Sequence, residues 1–180
     1  MKYGEMFSES AREWKRVRSL TMAAMLLAAQ VVLGRIAAIP LGPDIRISFG
    51  YFALSLAGAL LGPAVAPVNG ALADVIGYLI KMDGAYFPGF TITGLVSGLI
   101  YGAALYRRGI TLRRVLVTKL VIDVLCNLLL NTLWLHMLYG KAFFALLPAR
   151  ALKNLLQYPV DAALLYPVLK KVVPLVRRWR

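Results

Sequence analysis

The chain alternates apolar runs with short polar or Pro/Gly-rich breaks, and six apolar segments can be drawn along it: Leu20–Ala38, Ile47–Leu61, Ala64–Ile80, Phe90–Tyr106, Val115–Leu135 and Ala151–Val168. Gly62-Pro63, Asp83-Gly84 and Arg107-Arg108-Gly109 punctuate the pattern. A helix rises about 1.5 Å per residue, so roughly 20 residues cross a bilayer core. Several runs are shorter than that, and it is their succession that predicts a membrane bundle. Polar positions inside the runs recur at helical spacing. Lys119, Asp123, Asn127 and Asn131 fall four apart and form one stripe on the fifth segment. Arg150, Asn154, Gln157 and Asp161 do much the same on the sixth, and the third offers Asp74 and Tyr78. Such groups are costly in hydrocarbon unless paired or wet, so these stripes should face the bundle interior. For Lys119, Asp123 and Asp161 the expectation is an internal network that glues helices together.

Small residues follow their own periodicity. Gly94, Gly98 and Gly102 step by four along the fourth segment, Gly58 and Gly62 end the second, and Ala24 and Ala28 lie on the first. A small-residue face lets two helix backbones approach closely where lipid supplies no hydrophobic drive. The glycines are expected to serve contacts within the bundle; the alanine face is open either to the bundle or to a partner helix.

Composition sharpens this reading. The chain has 180 residues, of which 60% are hydrophobic and 16% charged, against about half and about a quarter in a soluble domain. This length fits one bundle with no second soluble domain. The net charge of +13 does not indicate nucleic acid, because the cations sit at the ends of apolar runs, where they read as topology and headgroup contact. Fourteen lie before the first segment (Lys2, Arg12, Lys15, Arg16, Arg18), between the fourth and fifth (Arg107, Arg108, Arg113, Arg114) or at the C-terminus (Lys170, Lys171, Arg177, Arg178, Arg180), against six on the other side. The positive-inside bias therefore predicts an all-α membrane protein of six transmembrane helices in one bundle, with both termini cytoplasmic. The opening basic stretch and apolar run lack a small-residue cleavage site and read as a retained span. The first fifteen or so residues, with Phe7 and Trp14, suit either an amphipathic interfacial anchor or a disordered tail.

Cys126 and His136 are the only residues of their kinds, so neither a disulfide framework nor a Cys- or His-based metal cluster is expected. No paired-carboxylate site, Ser/His/Asp set, HExxH or Walker-type GxxxxGK[ST] appears. The chain is not expected to be an enzyme, to hold a cofactor or to hydrolyse ATP. On the predicted outer face, by contrast, Asn131, Trp134, Arg150, Lys153 and Asn154 come near the ends of the fifth and sixth segments, joined by Tyr139 and Lys141 of their connection. Arg46 and GAYFPGFT (84–91) come from two other outer loops. Aromatics, amides and cations with few acids suit an anionic ligand carrying a flat ring system; an interfacial aromatic belt with ordinary loop charges would look similar.

The runs ADVIGYLIKMDGAYFPGFTITGLVSGLIYG (73–102) and LLNTLWLHMLYGKAFFALLPARALKNLLQYPVDAALL (129–165) closely resemble the folate-specific S components of energy-coupling factor (ECF) vitamin transporters. The likeness extends from about Met22 to Leu169. It implies a multi-pass subunit of the bacterial cytoplasmic membrane that captures folate, or a related anionic pterin, from outside. The subunit would then dock on a transmembrane coupling protein and two ATPases, and topple to carry the site inward. With the charge topology, the chain divides into a basic cytoplasmic segment, 1–18, open to an interfacial role, a six-helix substrate-binding domain, 19–172, and a basic cytoplasmic tail, 173–180; the two ends carry little of the likeness. Ala24 and Ala28 match the AxxxA face that meets the coupling protein. Phe87, Phe90, Trp134 and Tyr139 are assigned ring contact, and Thr91, Asn131, Asn154 and Gln157 edge hydrogen bonds. Arg46, Lys141, Arg150 and Lys153 are assigned the tail carboxylates, with Arg35 either joining them or anchoring a loop. Pro88 and Gly89 would set the turn of the outer loop. The alternatives are the same architecture for riboflavin or thiamine, or a structural membrane protein.

Overall fold

Each apolar segment forms a helix, and the helices begin and end where the local chemistry requires. The computed structural model describes residues 3–40, 46–82, 85–140 and 143–178, with the backbone alone at residues 3, 39, 40, 46, 47, 139, 143–146 and 149. Helix α1 spans Tyr3–Arg12; α2 spans Val17–Val31 and continues through a π-helical turn, Val32–Ile36. Helices α3 (Gly50–Leu61), α4 (Ala66–Ile80) and α5 (Pro88–Leu105) follow. Helix α6 (Leu112–Ile122) passes through a π-helical stretch, Asp123–Leu130, into α7 (Asn131–Tyr139), and α8 runs over Phe143–Arg178. The fold is all-helical apart from a two-residue antiparallel pairing between α2 and α3, of β1 (Ile39–Pro40) with β2 (Arg46–Ile47).

Gly62, at φ 88°, ends α3 in a conformation open mainly to glycine, and Gly140, at φ 63°, does the same after α7. Thr111 caps α6 by accepting from Arg114 N at 3.4 Å. Pro88 opens α5 at a position where its missing N–H costs nothing. Val17–Ile36, Pro88–Leu105 and Leu112–Leu138 are long and apolar enough to cross a membrane, and Gly50–Leu61 and Ala66–Ile80 are apolar but shorter. Helix α8 contains Pro148, Pro159, Pro167 and Pro174, each of which removes one backbone donor.

The glycine row works inside the bundle, as expected. A Cβ on Gly94 would meet the Gly70 carbonyl, one on Gly98 the Ala66 carbonyl and one on Gly102 the backbone of Pro63. Helices α4 and α5 therefore touch backbone to backbone along their length, which only small residues allow. The alanine row is different: Ala24 and Ala28 are exposed, on a face of α2 that also exposes Val17, Leu20 and Met25.

The dry core occupies one end of the bundle, where Leu60, Leu61, Val65, Leu105, Val115, Leu165, Leu169 and Val173 pack together. That end also gathers the basic segments. Ser10 of α1 donates to Leu61 O at 2.6 Å and accepts from Ala64 N at 2.9 Å, so α1 closes the α3–α4 break. Arg107 pairs with Glu9 at 2.9 Å, and Arg177 of α8 donates to Ala59 O at 3.1 Å. Helix α1 is thus folded onto the bundle, with Phe7 and Trp14 left exposed; no break separates residues 173–178 from α8.

Replacing Gly94 or Gly98 by Leu must push α4 and α5 apart. Stability is expected to fall by at least about 1–3 kcal/mol, read as thermal unfolding in detergent by circular dichroism. Gly109→Ala, whose added Cβ meets nothing within 4 Å, should leave the transition unmoved.

Candidate functional site

The other end of the bundle is hollow. A cavity of about 890 Å³ opens there, walled by residues of α2, α3, α4, α5, the α6–α7 rod and α8. Its size falls in the range of about 300–1,000 Å³ typical of small-molecule sites.

The floor is built around one buried cation. Lys119 Nζ lies 2.7 Å from Asp123 Oδ1 and 3.0 Å from Asp161 Oδ2, and all three side chains are almost wholly buried. Tyr51 donates to Asp161 at 2.9 Å, its ring lying 4.6 Å from Lys119 Nζ, and Gln157 Nε2 reaches the same carboxylate at 3.1 Å. Asn127 donates to Asp123 at 2.7 Å, and Asn131 extends the row to Asn127 at 3.5 Å. This is the internal network expected of Lys119, Asp123 and Asp161, but these residues also line the cavity. The stripe stays straight for a backbone reason. An i, i+4 row drifts by about 40° per step on an α-helix, whereas the wider π turn winds less per residue and turns the drift back.

The outer wall comes from the GAYFPGFT segment, of which Ala85–Thr91 are described. Phe87 and Phe90 line the cavity with ring centroids 6.2 Å apart, edge to face. Trp134 stands behind Phe87, at 5.7 Å between centroids, and donates from Nε1 to Thr93 Oγ1 at 2.9 Å. Pro88 and Gly89 do not form the expected turn: they are the first residues of α5. Gly89 is required there for space, because a Cβ would lie 2.5 Å from ring carbons of both Phe87 and Trp134. Thr91 donates to Asp74 Oδ2 at 2.8 Å and shares a 2.8 Å hydrogen bond with Tyr86. Arg35 completes this clasp, 3.1 Å from Asp74 Oδ1, crossing α4 over Gly77, where any Cβ would meet its side chain.

Of the residues expected to bind ligand, Arg35, Phe87, Phe90, Asn131, Arg150, Lys153, Asn154 and Gln157 line this one cavity. Gly89, Thr91 and Trp134 pack behind the wall, and Pro88 is exposed. Lys141 lies outside the described residues, as do the side chains of Arg46 and Tyr139. Gln30, Tyr51, Lys81 and Tyr101 also line it and were not anticipated; a lone amide or tyrosine in an apolar run carries no periodic signal. Among the described residues, lining side chains with a buried polar atom and no hydrogen-bond partner include Gln30 Oε1, Tyr101 Oη, Asn131 Oδ1, Asn154 Nδ2 and Gln157 Oε1. Buried polar groups are nearly always paired, so this set reads as an interface awaiting a polar ligand. Among the described residues, no group of three His, Cys, Asp or Glu side chains could hold a metal ion.

Comparison with known proteins agrees with this geometry. The family model "ECF transporter, substrate-specific component" matches residues 18–169. The folate transporter FolT of Clostridium novyi (strain NT) is 37% identical over 158 residues, covering 88% of this chain and 91% of that protein. FolT of Leuconostoc mesenteroides subsp. mesenteroides is 34% identical over 163 residues, covering 87% and 86%. A crystal structure of FolT bound with folic acid superposes with a TM-score of 0.79 at 34% identity, covering 84% of this chain and 92% of that one.

Lys119→Met would leave Asp123 and Asp161 facing each other without their cation. The expected cost is about 3–5 kcal/mol, seen as a lowered unfolding temperature in detergent. Adding Asp123→Asn should recover part of the loss.

Proposed function

Because the chain belongs to the substrate-specific components of ECF transporters, we propose that its cavity captures folate, or a reduced folate, from the extracellular side for ATP-driven import. The protein is an integral subunit of the cytoplasmic membrane, not an enzyme, and it works with a transmembrane coupling protein and two ATPases, which use the ATP. The observation that carries the ligand reading is the composition of this cavity: an aromatic outer wall, Arg150 and Lys153 on α8, and the unpartnered polar atoms of Asn131, Asn154 and Gln157. Folate supplies the complement, with flat rings for Phe87 and Phe90, donors and acceptors for Asn131, Asn154 and Gln157, and carboxylates for Arg150 and Lys153. Arg46, Tyr139 and Lys141 complete the ring and carboxylate contacts from the outer loops. Trp134, Thr91, Pro88 and Gly89 hold Phe87 and Phe90 in place, and Arg35 anchors the outer loop through Asp74.

In this reading six helices span the bilayer with both termini cytoplasmic, so the basic end faces inward and the cavity outward; the clustering of the cationic segments at one end supports it. After docking, the subunit reorients in the membrane and delivers its ligand inward. The exposed face of Ala24 and Ala28 is the docking surface for the coupling protein.

Titrating the purified protein with folate should quench tryptophan fluorescence saturably, because Trp134 backs the cavity wall; riboflavin and thiamine should not. Loss of a neutral hydrogen bond in Asn154→Ala should weaken folate binding roughly threefold to tenfold, and loss of a charged one in Arg150→Ala by about tenfold or more. Saturation by another vitamin alone would discard folate while keeping the architecture. Separately, Ala24→Leu/Ala28→Leu should abolish co-purification with the coupling protein while folate affinity is retained; undiminished co-purification would remove that face from the interface.

A further inference from the structure

Beside the first turn of α6, at the basic end, lies a second, shallower hollow of about 410 Å³ that shares no lining residue with the cavity. Arg108, Arg113 and Arg114 line it, with Thr111 at the helix start and Ala104 and Val117 on its apolar side. No lining residue is acidic, and Glu9 of α1 pairs with Arg107. Two of the guanidinium groups are held in place: Arg114 donates to Gly109 O, and Arg108 lies 3.6 Å from Met6 Sδ. Arg113 is exposed. Three like charges around one hollow repel each other, and an anion seated among them relieves that repulsion while accepting charge-assisted hydrogen bonds.

The surroundings decide which anion. From Val117 the outward face of α6 continues as Leu120 and Val121 and passes to Val124 of the π-helical stretch, all exposed and aliphatic. A free phosphate would use the arginines and leave this face idle, and an acidic protein segment has no need of it. A lipid uses both, with its phosphodiester on the arginines and the α6 N-terminus and its acyl chain along the aliphatic face. We propose that the hollow formed by Arg108, Arg113, Arg114 and Thr111 is a binding site for the headgroup of an anionic phospholipid. Its placement in the inner leaflet rests on the orientation given above; the site itself does not.

The test is native mass spectrometry of the full chain in detergent with dioleoyl phosphatidylglycerol or dioleoyl phosphatidylcholine added. The wild type should retain the anionic lipid, and Arg113→Gln/Arg114→Gln should retain roughly tenfold less or lower still, whereas Arg113→Lys/Arg114→Lys should keep most of it. Folate titration of the same samples reports folding and should be unchanged, since neither arginine touches the cavity. Equal retention of the two lipids, or retention unaffected by the glutamines, overturns the proposal. Displacement of the lipid by millimolar inorganic phosphate overturns the lipid assignment in favour of a small-anion site. If the double variant loses folate binding, Arg113→Gln alone decides, because that side chain is exposed: undiminished retention of the anionic lipid there is also fatal.

Discussion

Burying Lys119 between two carboxylates sets the terms for the rest of the molecule. Ionisable groups buried together inside a membrane bundle persist only when their remaining hydrogen-bonding positions are satisfied. Tyr51 of α3, Gln157 of α8 and Asn127 of the α6–α7 rod supply those bonds. Three rods are thereby fixed in register at one level. Beneath that level, towards the basic end, side chains pack dry; above it the helices hold an open space lined by polar groups. The network is at once the ceiling of the core and the floor of the cavity.

The opposite rim is held by a second, smaller set of bonds. Arg35, Asp74, Thr91 and Tyr86 link the end of α2 to α4 and to the start of α5. This clasp sets where Phe87 and Phe90 stand, and Gly89 lets Trp134 pack against Phe87 from behind. Aromatic faces fixed in this way lower the ordering cost that the proposed ligand would have to meet.

The outer surface differs from helix to helix. Helix α2 exposes Ala24 and Ala28, which suit close contact with another helix, beside the larger Val17, Leu20 and Met25, and α8 and α6 expose leucines and valines. The close contact between α4 and α5 turns Gly70 and Gly94 towards each other, and both also reach the cavity. In the proposed function a single bundle would keep its docking surface, its lipid-facing surface and its ligand cavity apart without any domain boundary.

The order of helices was legible from the apolar runs, and the four-residue spacing of Lys119, Asp123, Asn127 and Asn131 placed them on one inward face. The grouping of the basic segments also followed from sequence, because cations at the ends of apolar runs report topology. Three things were settled only in three dimensions. Trp134 moved behind the wall because Thr93 offers its indole N–H a partner across 41 positions of sequence. Pro88 and Gly89 entered a helix because Pro fits its first turn and the neighbouring rings need the room above Gly89. Gln30, Tyr51, Lys81 and Tyr101 joined the cavity because helices packed by small residues bring distant chain segments face to face. Periodicity within a segment records which side of a helix is polar; which residues then share a cavity depends on the rotation and offset between helices, and those are set by contacts that no single segment contains.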